Sequence, residues 1–129
     1  MAKVLSFNLE KEKQTALRIL CFRIGCQYII IDPERQNETL AELCETTGAA
    51  KTIQSRHDCF TEEMLVFCGL SKQELNDFLD FMRSNNLNVI HKAVITEFNK
   101  NWSAAKLFHE IDAEYRKIER MKKQKKRKK

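Results

Sequence analysis

Six side chains fall where strands are expected to end: Asn8, Asp32, Cys68, Thr96, Asn99 and, just beyond, Trp102. Open parallel α/β sheets bind ligands outside the carboxyl ends of their strands. These six residues would therefore form a polar pocket beside an aromatic wall. Cys68 stands before an expected helix N-terminus, a setting that lowers a thiol pKa and favours nucleophilic attack. An enzyme would use Cys68 or Thr96 as the reacting group, with Asn99 and Trp102 shaping the pocket and His91 approaching from the neighbouring strand. The same residue types also serve corners. Asn and Asp satisfy backbone groups at turns and helix starts, a strand-end thiol packs as a small hydrophobe, and Trp102 closes the end of the core. The structural reading carries the greater weight.

Other chemistries find less support. His57-Asp58-Cys59 offers three metal-capable side chains, but adjacent residues rarely converge on one ion and no second pair at zinc spacing exists. No metal site is expected. The three glycines fall in neither a dinucleotide-binding nor a Walker pattern, and no cofactor is expected. The five cysteines are an odd number without CxxC spacing, which fits reduced thiols in a cytoplasmic protein better than a disulfide framework. No apolar run approaches the roughly 20 residues of a transmembrane helix, and the N-terminus lacks the apolar stretch of a signal peptide.

Charge is divided unevenly. Residues 116–129 hold ten Lys/Arg and one acid, a net of +9, whereas residues 1–115 hold 13 basic and 17 acidic residues, a net of −4. The basic character comes from the end of the chain. Lys122, Lys123, Lys125, Lys126, Arg127, Lys128 and Lys129 would neutralise phosphates on nucleic acid or touch an anionic membrane. Without aromatic residues among them, base-specific reading is not expected. Like-charge repulsion predicts a disordered tail over 119–129, after a single domain at 1–118.

The elements that must position these groups alternate. A short strand at Val4–Phe7 precedes a helix over 9–24, with Leu17, Leu20, Cys21 and Ile24 on one face and Gly25 at its C-cap. Gln27–Ile31 is an unbroken apolar strand of the kind covered on both faces. A short helix at 39–44 and an irregular stretch over 48–61 follow. Met64–Cys68 is the third strand, and Ser71 and Glu74 form a capping box before a helix bearing Leu75, Phe78, Leu79 and Met82. A fourth strand at Val89–Ile95 leads to a last helix from about Trp102, with Phe108, Ile111, Tyr115 and Ile118 inward. Beyond this alternation no internal repeat is evident. The pattern predicts a three-layer α/β/α domain with four mainly parallel strands in the order 2-1-3-4, parallel at its centre. A ferredoxin-like α+β fold is the alternative.

The segment Lys92–Trp102 is the sharpest sequence feature. With Met64–Phe67, the Leu75/Phe78/Leu79 face, Leu107 and Glu110, it resembles the domain-of-unknown-function 3783 family of bacteria and archaea. That resemblance covers about residues 64–115 and implies a small cytosolic prokaryotic protein. It brings no activity, substrate or catalytic residue. A Thr at the end of the fourth strand is also similar to phosphoacceptor receiver domains, but Asn8-Leu9 and Cys68-Gly69 stand where those need carboxylates for Mg²⁺ and phosphate. The expected role is a binding or regulatory module for a protein or small ligand. The alternatives are a small enzyme at Cys68/Thr96 or a nonspecific nucleic-acid-binding protein.

Overall fold

The computed structural model describes residues 2–45 and 59–127. Apolar runs form the strands β1 (Lys3–Phe7), β2 (Gln27–Ile31), β3 (Met64–Cys68) and β4 (His91–Val94), which make one sheet in the order β2-β1-β3-β4. Helices α1 (Lys11–Ile24) and α3 (Lys72–Ser84) link β1 to β2 and β3 to β4. Helices α2 (Leu40–Glu45) and α4 (Ala104–Arg127) follow β2 and β4.

The strand order and the mainly parallel α/β class agree with expectation. The centre of the sheet does not. β1–β2 and β3–β4 are parallel, but the central pair β1–β3 is antiparallel, with Leu5 opposite Val66. A helix returns the chain to the start of the sheet, so each strand–helix–strand unit is parallel within itself. Strand-helix alternation does not constrain how the two units meet. β2 and β3 are not neighbours, which excludes the ferredoxin-like alternative. Gln27–Ile31 is an edge strand, with Ile30 45% exposed, so its unbroken apolar run does not mark cover on both faces.

Alternation along the strands separates two core layers. Leu5, Phe7, Met64 and Val66 pack against Leu40 and Leu43 of α2 and Leu107 and Phe108 of α4. Val4, Leu65 and Phe67 pack against Leu17 and Leu20 of α1 and Phe78 and Met82 of α3. The capping box forms as expected: Glu74 N–H donates to Ser71 Oγ and Ser71 N–H to Glu74 Oε1.

Beneath the sheet, Thr39 and Ser103 form an antiparallel bridge. Around it Leu40 N–H donates to the Trp102 carbonyl at 2.9 Å and Ala104 N–H to the Glu38 carbonyl at 3.2 Å. Ala41 N–H reaches Lys100 and Ala105 N–H reaches Gln36, both at 2.9 Å. First-turn donors have no partner within their own helix, and here each helix start is satisfied by the loop before the other. This corner occupies Thr96–Trp102, so α4 begins at Ala104 rather than at Trp102.

Candidate functional site

The antiparallel centre separates the strand-end residues. Phe7 pairs with Ile31 and also with Met64, whereas Lys3 pairs with Cys68. Asn8 and Asp32 therefore lie at one end of the strands and Cys68 and Thr96 at the other, across about 16 Å of sheet. One pocket containing all six residues is not formed.

Each group instead orders backbone near it. Asn8 Nδ2 donates to the carbonyls of Phe60 and Glu62 at 2.9 and 3.0 Å. Buried Gln36 joins it, donating to the Phe60 carbonyl and accepting from Phe60 N–H. Asp32 accepts from Glu34 N–H and caps the short 3₁₀ turn Pro33–Arg35. Thr96 N–H donates to Asn99 Oδ1 at 2.8 Å, Asn99 Nδ2 donates to the Val94 carbonyl, and Thr96 Oγ1 accepts from the N–H groups of Phe98 and Asn99. The half-buried Trp102 packs on the α2/α4 core layer, with Lys106 Nζ 4.7 Å from its ring centroid. Cys68 and His91 do not meet. His91 opposes Met64, four residues from Cys68 along β3, or roughly 13 Å.

His91 has a different partner. Its Nε2 donates to Asp112 Oδ1 at 3.1 Å, and Arg116 Nε donates to Asp112 Oδ2 at 2.8 Å. Phe108 and Tyr115 flank the imidazole. Burial pushes the Asp112 carboxyl up, but the hydrogen bonds from His91 and Arg116 outweigh it and hold the group below the ordinary carboxylate range. The helical register of Phe108 and Asp112, four apart and facing β4, was the sequence signal for this cluster. It pins α4 to the edge strand.

Two surface clefts open between a helix and its edge strand. A cleft of about 460 Å³ is lined by Leu79, Met82, Arg83, Leu87, Val89 and Lys92. Burial and the nearby Arg83 guanidinium push the Lys92 ammonium below its ordinary value, and its Nζ donates to the Val89 carbonyl at 2.6 Å. A cleft of about 320 Å³ is lined by Arg18, Cys21, Phe22, Cys26, Tyr28 and Ile30. Burial raises the pKa of both Cys21 and Cys26, so neither is an activated nucleophile.

No group of three His, Cys, Asp or Glu side chains among the described residues could hold a metal ion. His57 and Asp58 lie outside the described residues; exposed Cys59 accepts from Asn37 Nδ2 at 3.8 Å. No helix among the described residues is long and apolar enough to cross a membrane.

The remaining candidate is α4 itself. It packs on the sheet through Phe108 and Ile111 and then leaves the body. Past Asp112 it exposes an apolar stripe of Tyr115, Ile118 and Met121. Arg116, Arg120 and Lys123, at helical spacing i, i+4, i+7, line another face and are exposed. The helix continues to Arg127, so the boundary expected at residue 118 does not coincide with an element end. The side chains of Lys125, Lys126 and Arg127, and all of Lys128 and Lys129, fall outside the described residues.

The fold defines a small α/β/α domain built on a mixed sheet. Residues 63–118, which hold β3, α3, β4 and the packed part of α4, match the family model described as Domain of unknown function (DUF3783). That match bears out the resemblance carried by Met64–Phe67 and Lys92–Trp102. No curated protein and no solved structure matches the chain.

Proposed function

We propose that this chain is a binding module whose contact element is the projecting part of α4, and that its ligand is the phosphate backbone of nucleic acid. The observation that supports this reading is the cationic ladder Arg116, Arg120 and Lys123 on an exposed helix. Successive rungs rise by about 4.5–6 Å along the axis, and the sequence continues the spacing at Arg127. The charge contrast reinforces it: residues 1–115 carry 13 basic and 17 acidic residues, so the body repels polyanions and the helix end attracts them. Against catalysis stands the use of Asn8, Asp32, Thr96 and Asn99 to satisfy corner backbone.

The test is a salt titration of labelled duplex DNA and single-stranded RNA with the full chain and with an Arg120→Gln/Lys122→Gln/Lys123→Gln variant. Each lost phosphate contact lowers the slope of log K against log salt by about 0.9 on duplex DNA. The variant should bind weakly and with a shallower slope on both nucleic acids. Equal slopes for the two proteins would remove α4 as the contact. Binding to anionic vesicles but not to either oligonucleotide would move the ligand to a membrane surface.

A further inference from the structure

We infer that residues 3–45 are a second, diverged copy of the unit that the family model matches, so that this chain carries its own two-fold partner and folds as a fused pair. The two halves align in a fixed register of elements. Residues 3–26 correspond to 64–87, and after three extra residues before β4, residues 27–45 correspond to 91–109. Each half then reads strand, helix, parallel strand, corner, helix.

Independent observations fall on this register. β1 and β3 pair antiparallel with Leu5 opposite Val66, which correspond to each other, so the axis passes between them normal to the sheet. The described non-glycine residues with positive φ are Asn8 at 60° and Asn86 at 56°; they correspond to Gly69 at 75° and Gly25 at 88°. All four left-handed positions among the described residues are thus paired, one before and one after each connecting helix.

The hydrogen bonds at the bridge exchange under the same operation. Leu40 to Trp102 becomes Ala104 to Glu38, and Ala41 to Lys100 becomes Ala105 to Gln36. Thr39 Oγ1 accepts from Glu42 N–H as Ser103 Oγ accepts from Lys106 N–H. The two clefts also correspond: Arg18, Cys21, Phe22, Cys26 and Tyr28 occupy the places of Leu79, Met82, Arg83, Leu87 and Lys92. Burial follows the same register, with Leu17 and Phe78, and Leu40 and Ala104, each inaccessible.

Side-chain identity does not. Identical residues fall only at Leu9/Leu70, Lys11/Lys72, Ile31/Ile95, Asn37/Asn101, Ala41/Ala105 and Leu43/Leu107. A single unit would leave one strand edge and its helix-start donors open at the axis. A second copy covers both, and here that copy is covalently supplied.

The test replaces residues 3–45 with residues 64–109 in an otherwise full chain. A fused pair predicts a folded monomer in which duplicated amides near the axis give nearly coincident NMR resonances. A folded chain with two unrelated sets of resonances would overturn the inference. If the tandem chain does not fold, a second variant decides. It exchanges corresponding corner residues in the natural chain: Gly25→Asn with Asn86→Gly, and Thr39→Ser with Ser103→Thr. Nothing lies within 4 Å of a Cβ built at Gly25, so the added side chain has room. A native amide spectrum with a thermal midpoint within about 8 °C of wild type supports the inference. Loss of the native spectrum overturns it.

Discussion

Residues 104–112 and 113–123 belong to one helix, yet almost nothing about their surroundings is shared. In the first stretch Ala104, Ala105, Leu107 and Phe108 are buried, and Phe108 stacks on Phe60 with ring centroids 4.3 Å apart. In the second Tyr115, Ile118 and Met121 are exposed, although they continue the same apolar spacing. Periodicity specifies which residues share a face, and the length of the sheet beneath decides how many of them are covered. The first stretch holds the fold and the second presents charge.

Substitutions can break or sharpen that contrast. Phe108→Ala should cost about 3–5 kcal/mol by urea denaturation, as for other buried aromatic truncations. Ile118→Ala, on the same face, should change stability by less than about 0.5 kcal/mol. Comparable losses at both positions would mean that the projecting stretch is covered in solution. Trp102→Ala lies between, at about 2 kcal/mol, because its ring is only half buried.

Asp112 sits where the two stretches meet. Asp112→Asn weakens charge-assisted bonds to His91 and Arg116 and should cost about 1–2 kcal/mol at neutral pH. The folded carboxyl lies below its unfolded value. Its stabilisation is therefore fully present above about pH 3.9 and is lost as pH falls through the lower folded value. Urea midpoints of the two proteins should converge in acid, and a gap that persists at the lowest pH would assign the loss to packing.

The smallest effect is expected from deleting residues 120–129. The thermal midpoint should stay within about 2 °C, while oligonucleotide binding at low salt should fall sharply. A truncated body that still binds at moderate salt would place a basic face on the folded domain.

Much of this architecture was legible in the sequence. The β1, α1, β2 and β3 runs, the Gly25 cap and the Ser71/Glu74 box are local patterns whose physics is contained in a few neighbouring residues. The antiparallel meeting of β1 and β3 was not legible, because it depends on which strand edge is free once each parallel unit has formed. The candidate site fared worse for a related reason. Asn8 and Asp32 directly follow β1 and β2, and Thr96 and Asn99 lie in the corner after β4, but their expected assembly into one pocket assumed that all strands end on the same side. The His91–Asp112 contact spans two elements, and only the tertiary packing of α4 creates it. The correspondence between halves escaped because it survives in backbone conformation and burial while identical residues are few.

The reciprocal bonds at the Thr39–Ser103 bridge also bear on how the molecule opens. Neither α2 nor α4 can release its first turn without freeing donors and acceptors on the loop that starts the other. Local fraying is therefore shared between distant parts of the chain, and the amides of Leu40, Ala41, Ala104 and Ala105 should exchange with solvent only when the whole domain unfolds. Although most contacts lie within one half or the other, the chain is expected to melt in one step, with no population in which a single half remains folded.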